Sequence, residues 1–202
     1  MIRTFLAIEL SEALRTNLSN LQLELKQRLM RELPQDVRIS WVQSASLHLT
    51  VKFLGDIDEQ LVMPMREAIG KVLSGHRTIE IPLERLGAFP RPQQPRVLWV
   101  GPSALWEQGT DAARLASLHR TIEDCCVALN LAPDSRSLSA HLTLARVKQR
   151  ERSVGQVLAR SGVMDRPLTA GSLSVDAIVL MKSDLKPTGS VYTKLWNAAL
   201  GI

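Results

Sequence analysis

Ser46-Leu47-His48-Leu49-Thr50-Val51-Lys52-Phe53 decides the reading of this chain, because its core recurs as Ser139-Ala140-His141-Leu142-Thr143-Leu144-Ala145-Arg146. Each copy runs His, apolar, Thr, apolar, and the copies lie nearly half the chain apart. Successive side chains of a strand point to opposite faces. His48 and Thr50 therefore project together while Leu49 and Val51 bury behind them. His141 and Thr143 do the same over Leu142 and Leu144. A single His-x-Thr is an ordinary polar strand face, since Thr favours strands. Two copies with matched apolar neighbours call for another explanation. Brought together, they offer a proton donor, a proton acceptor and two hydroxyls to an anion, a set suited to phosphoryl chemistry without a metal.

Working outward, Thr4 to Leu10 is a buried strand handing over at Ser11 to a helix. Ser11 is placed to cap that helix, and Leu14, Leu18, Leu21, Leu25 and Leu29 form its core stripe. Val37 to Val42 is a short strand before the first motif, and Gly55-Asp56 closes the motif strand. Leu61 to Val72 is a second amphipathic helix with Pro64 in its first turn. Ile79 to Leu86 and Val97 to Val100 read as strands joined by the proline-rich loop Gly87 to Arg96. A third helix carries Leu115 to Leu129 and ends near Asn130. After the second motif come a short helix over Val154–Ser161 and strands over Ser172–Lys182 and Val191–Trp196. The last two are joined by a turn at Lys186-Pro187-Thr188-Gly189. Amphipathic strands and short turns point to an α+β fold with antiparallel sheets. The expected organisation is a single bilobal domain, 1–202. Its pseudo-symmetric lobes, roughly 1–95 and 96–202, carry one motif each around a central cleft, with helices outside.

At 202 residues, 45% hydrophobic and 22% charged, the chain can bury a sizeable core. Its net charge of +5 suits a polyanionic substrate. Cys125 and Cys126 are adjacent and offer neither a disulfide framework nor metal-ligand spacing. Glu9 and Glu12 interrupt the first apolar run, and no stretch approaches about 18 consecutive apolar residues. A cytoplasmic monomer without cofactor, metal or membrane partner is expected. His76 and His119 read as surface residues.

The duplicated motif resembles the signature of the 2H phosphoesterase superfamily. The fuller strings are similar to its RNA 2′,3′-cyclic phosphodiesterase branch, also called the 2′-5′ RNA ligase family. They are Trp41-Val42, Leu47-His48-Leu49-Thr50-Val51-Lys52-Phe53-Leu54-Gly55, Pro95-Arg96-Val97-Leu98-Trp99-Val100-Gly101 and His141-Leu142-Thr143-Leu144-Ala145-Arg146. The likeness runs from Thr4-Phe5-Leu6-Ala7-Ile8 to Ser190-Val191-Tyr192. It implies the bilobal fold and hydrolysis of RNA 2′,3′-cyclic ends, or of related cyclic nucleotides, to a 2′-phosphomonoester. It also implies that His48 is the proton donor, His141 the acceptor, and Thr50, Thr143 and Arg146 the phosphate binders. The residues alone leave the order of the two histidines open. They also leave open 2′-5′ ligation by the same site, or a receptor that holds phosphate without turnover. Strand parity counts against Arg146, which alternates with Thr143 unless a bulge intervenes. Lys52 has the right parity, yet reads equally well as a solvated strand charge.

Overall fold

β1 (Ile2–Glu9) owes its place to a run, Phe5 to Ile8, that is buried on both faces. In this computed structural model, which describes residues 1–134, 136–186 and 189–201, Ser11 caps α1 (Glu12–Glu32) by accepting from the Leu14 N–H at 3.3 Å. Leu14, Leu18, Leu25 and Leu29 line the buried stripe of that helix. β2 (Arg38–Trp41) and β3 (His48–Ile57) follow, then α2 (Val62–Leu73) with Pro64 in its first turn, where a missing N–H costs nothing. Next come β4 (Ile79–Pro82), β5 (Arg85–Phe89), β6 (Val97–Gly101) and α3 (Thr110–Ala128). β7 (Leu142–Gln149), α4 (Glu151–Ser161), β8 (Ser172–Val175), β9 (Ala177–Lys186) and β10 (Gly189–Ala199) complete the chain.

Two expected strands divide. Ile79 to Leu86 splits after Pro82, whose ring supplies no ladder N–H, and Ser172 to Lys182 splits at Asp176. The leading pieces, β4 and β8, pair with each other in a separate two-stranded ribbon. The last strand runs longer than expected because it follows β9 along its length. Pro187 and Thr188 of the expected turn lie outside the described residues.

The main sheet has eight strands in the order β10-β9-β1-β3-β7-β6-β5, with β2 also on β7, and its pairings are antiparallel. β3 and β7, the motif strands, pair only at Leu49–Leu142, and this bridge divides the sheet into two groups of four strands. The division does not fall at residue 95. The C-terminal strands β9 and β10 join β1 and β3, while β2 leaves the first half of the chain to pair with β7. The helices are exchanged likewise: α2 and α3 pack together beside β10, while α1 packs on α4, which also touches β7. Each group of strands thus draws on both ends of the sequence, because α1 carries the chain from one side of the sheet to the other. The helices cover one face and enclose the main core; Phe5, Ala7, Val179 and Met181 form a small second cluster on the opposite face, against Tyr192.

Candidate active site

Continuing the Leu49–Leu142 register by one residue each way sets His48 opposite Thr143 and Thr50 opposite His141. Each histidine therefore faces the hydroxyl of the other copy across a local pseudo-dyad. Immediately after each threonine the strand bulges. β1 pairs Ala7 with Thr50 and Leu6 with Lys52, so Val51 is an extra residue. β6 pairs Trp99 with Thr143 and Leu98 with Ala145, so Leu144 is the extra one. An inserted residue reverses the alternation beyond it. Val51 and Lys52 are consecutive buried residues, as are Leu144 and Ala145, and the next positions, Phe53 and Arg146, turn back to the motif face. Parity had counted against Arg146; the bulge restores it to the face of His141 and Thr143.

A cavity of roughly 390 Å³ is lined by His48, Thr50, His141, Thr143 and Arg146, joined by Phe53 and Tyr192 among others. The five residues expected from the sequence meet here. His48 Nδ1 lies 2.8 Å from the Ser46 carbonyl oxygen and His141 Nδ1 lies 2.9 Å from that of Ser139. A carbonyl only accepts, so both Nδ1 atoms carry hydrogen and each Nε2 is left for chemistry. His48 Nε2 lies 3.0 Å from Thr50 Oγ1. The turn that presents the Ser46 carbonyl is itself tied down, since Arg15 donates to the Ser44 carbonyl at 2.7 Å.

Each imidazole also packs against two aromatic rings that touch each other. Phe5 and Tyr192 lie 4.8 and 5.3 Å from His48, Tyr192 edge-on. Phe89 and Trp99 lie 5.0 and 6.2 Å from His141. Burial among these rings is the main cause that lowers both imidazole pKa values from the ordinary 6.5. The Ser46 and Ser139 carbonyls oppose the shift, whereas the positive Arg146 adds to it at both rings. In the free protein the site thus favours neutral imidazoles. An entering phosphate anion offsets Arg146 and favours protonation. That arrangement suits proton transfer at an anion that Arg146 and the threonine hydroxyls hold.

Lys52 is elsewhere. The bulge turns it away from the cavity and into the core, where it is 3% exposed. Its Nζ donates to both Glu123 carboxylate oxygens, at 2.8 and 2.7 Å, and to the Ala132 carbonyl at 3.0 Å. Glu123 also accepts from the Asp134 N–H at 3.2 Å. His119, expected on the surface, is buried 3.6 Å from Glu123. This polar knot fastens β3 to the segment leading toward His141. Beside the other bulge, the buried Gln22 amide donates to the Val42 and Leu144 carbonyls at 2.9 and 2.8 Å. Sequence periodicity also missed Phe5, Trp99 and Tyr192, which reach the histidines from neighbouring strands. Phe53 was more accessible, because aligning the two copies sets it against Arg146.

The chain is similar over 194 residues to an RNA 2′,3′-cyclic phosphodiesterase of Methanothermobacter thermautotrophicus, at 29% identity and 96% coverage of both chains. A protein of the same name from Aeropyrum pernix is 30% identical, with 80% of this chain and 86% of the relative covered. The family model described as LigT-like phosphoesterase matches residues 8–99. The chain belongs to the LigT-like phosphoesterase family. Solved structures share the fold: E. coli LigT complexed with 3′-AMP has a TM-score of 0.71 at 21% identity, covering 100% of this chain and 99% of that one. A Thermus thermophilus protein gives 0.70 at 24% identity, with 98% of each chain covered. The family match ends before the second motif, and the relatives extend over it.

Among the described residues no group of three or more His, Cys, Asp or Glu is placed to hold a metal ion. No helix among them is long and apolar enough to cross a membrane.

Proposed function

We propose that the protein hydrolyses the 2′,3′-cyclic phosphate at an RNA end to a 2′-phosphomonoester. The observation that carries this reading is the pair of imidazoles, each fixed through Nδ1 to a backbone carbonyl, with two threonines and Arg146 in one cavity. Water attacks phosphorus as His141 Nε2 takes its proton. The bond from phosphorus to the ribose O3′ breaks, and His48 Nε2 delivers a proton to that oxygen. Thr50, Thr143 and Arg146 hold the non-bridging oxygens as charge gathers on them. The exposed ring of Phe53 and the Tyr192 edge offer apolar surfaces beside the phosphate for the terminal nucleoside. One chain supplies every group, so a monomer suffices, and two free thiols accord with a cytoplasmic setting.

The test incubates a cyclic-ended oligonucleotide in chelator, with and without a 5′-hydroxyl RNA, and maps the product ends. A 2′-phosphate is the expected product. Loss of turnover in chelator that a metal restores would overturn the two-histidine scheme; unchanged RNA with measurable binding would make the protein a receptor; a 2′-5′ joined product would add ligation. The roles of the histidines are separated by a nitrophenyl ester, whose leaving group needs no proton. It should rescue His48→Ala and leave His141→Ala inactive, and the opposite pattern would exchange the roles.

A further inference from the structure

The histidine cavity does not end at the rings that flank His48. Arg3 is two residues before Phe5 on β1 and shares its face of the sheet, the face of both motifs. It lies opposite Asp56 of β3, and the β1–β9 register continued one residue past Thr4–Lys182 sets it opposite Ser183. Arg3, Ser183, Leu185 and Ser190 all line the cavity, and Asp56 does not. Because β3 and β7 run antiparallel through the Leu49–Leu142 bridge, Phe53 and Arg146 lie at opposite ends of the motif pair. Arg3 stands beyond Phe53, at the end away from Arg146. Among the described residues it has no carboxylate at salt-bridge distance.

The cavity therefore alternates along its length. At one end Arg146 and the two threonines accompany the histidines. Next come rings in contact, with Phe5 lying 6.1 Å from Phe53 and 5.0 Å from Tyr192. At the far end are a second cation, two serine hydroxyls and the exposed Leu185. A ribonucleotide strand alternates in the same way, as phosphate, nucleoside, phosphate. From Ala7, opposite Thr50, to Arg3 the strand advances about 13 Å, and the arginine side chain reaches over part of that distance. A guanidinium binds phosphate oxygens through two parallel N–H bonds, and neighbouring hydroxyls add donors. The 5′ carbon leaves the ribose on the side away from its 2′ and 3′ oxygens. A terminal nucleoside on the Phe53 ring, with its cyclic phosphate at the histidines, thus extends its 5′ oxygen toward Arg3.

We propose that Arg3 binds the phosphodiester on the 5′ side of the terminal nucleoside, and so selects cyclic-ended oligonucleotides over cyclic mononucleotides. The proposal rests on the reading of the histidine site as the place of the RNA end. A cyclic mononucleotide fills the histidine end and the rings and leaves Arg3 without an anion; one further nucleotide supplies it.

The experiment uses three substrates: 2′,3′-cyclic AMP, the adenosine dinucleotide with the same cyclic end, and that dinucleotide with a neutral methylphosphonate link. Each is given to wild type, Arg3→Gln and Arg3→Lys. Wild type should use the charged dinucleotide with kcat/KM about tenfold above the mononucleotide, the low end for a hydrogen bond to a charged group. The neutral link should remove that advantage. Arg3→Gln should remove it as well, by a loss confined to the charged dinucleotide, whereas Arg3→Lys keeps the charge and should retain part of it. The salt dependence of kcat/KM should be steeper for the charged dinucleotide by about 0.7 in log–log slope, one phosphate contact, and Arg3→Gln should erase the difference. Equal use of all three substrates by wild type, or an equal loss on all three in Arg3→Gln, overturns the assignment. If wild type hydrolyses none of them, the proposed activity fails, and calorimetry with the same intact ligands decides the role of Arg3 alone. Tighter binding of the charged dinucleotide that Arg3→Gln abolishes supports it, and equal binding of the charged and neutral dinucleotides overturns it.

Discussion

Beyond its bulge the His48 strand presents Phe53 to the cavity, whereas the His141 strand presents Arg146 at the equivalent position. Up to that point the two copies match: an Nδ1–carbonyl bond two residues back, a threonine two residues on, a flank of two rings and one inserted residue. Behind the bulges they diverge again, with buried Lys52 paired to Glu123 in one and Ala145 in the other. The backbone device is duplicated, and the side chains that follow it have separated into a cationic side and an apolar side. A matched pair of imidazoles is thereby placed in an asymmetric pocket, and under the proposed function a substrate with two different ends has one favoured orientation.

The most severe break of the matched part is removal of either imidazole. His48→Ala and His141→Ala should each lower turnover by about 10²–10⁴-fold, the usual worth of a general acid or base. Circular dichroism should be unchanged, since both rings line a cavity. Near wild-type turnover in one variant would show that the copies are not functionally paired.

The buried difference is next. Lys52→Met leaves Glu123 as an unpaired charge, and losing one partner of such a pair costs about 3–5 kcal/mol of stability. Urea unfolding measures it. Lys52→Met with Glu123→Leu should recover most of the loss, because the other strand fills the same place with Ala145. If the double variant is as unstable as the single, the hydrogen bonds to Ala132 and Asp134 outweigh the charge pair. Thr50→Val and Thr143→Val rank below, each at about 10²-fold in kcat, the scale of a lost transition-state donor. Thr50→Val should cost slightly more, since only Thr50 is bonded to its own histidine.

Much of this was legible beforehand for a physical reason. The repeat His-x-Thr records strand alternation, a local property, so His48, Thr50, His141 and Thr143 could be placed on two polar faces without coordinates. The leucine stripe of α1 and its Ser11 cap are equally local. What alternation could not show is where it is interrupted. A bulge leaves no reliable mark in composition, so Arg146 looked misdirected and Lys52 looked well directed, and both were reversed by one inserted residue each. Non-local pairing was also invisible: the partition near residue 95 failed because β9, β10 and β2 cross between halves, and the rings flanking each histidine arrive from those neighbouring strands.

The smallest expected effect, and the finest probe of the comparison, is the pH profile. In kcat/KM the acid limb reports the base, which must be neutral, and the alkaline limb reports the acid, which must be protonated. Repulsion between the imidazoles is reciprocal and lowers the constant at which the pair loses its first proton. Burial among the rings acts in the same direction on both values, so the whole bell should lie on the acid side of pH 6.5. Arg146 lowers both imidazoles from one side of the pocket, with Phe53 opposite it carrying no charge to compensate. Arg146→Ala should therefore move both limbs of kcat/KM to higher pH, while turnover falls from the loss of a phosphate contact. Phe53→Ala reduces burial without altering charge, so it should raise the limbs less, and chiefly the one belonging to His48. In kcat, where bound phosphate already offsets Arg146, wild type should be displaced to higher pH relative to kcat/KM, and Arg146→Ala should narrow that displacement. A wild-type bell centred above 6.5 would mean that burial does not govern the imidazoles, whereas an Arg146→Ala variant with no shift, or a shift toward acid, would mean that the charge of Arg146 does not reach them and that the two sides of the pocket are electrostatically alike.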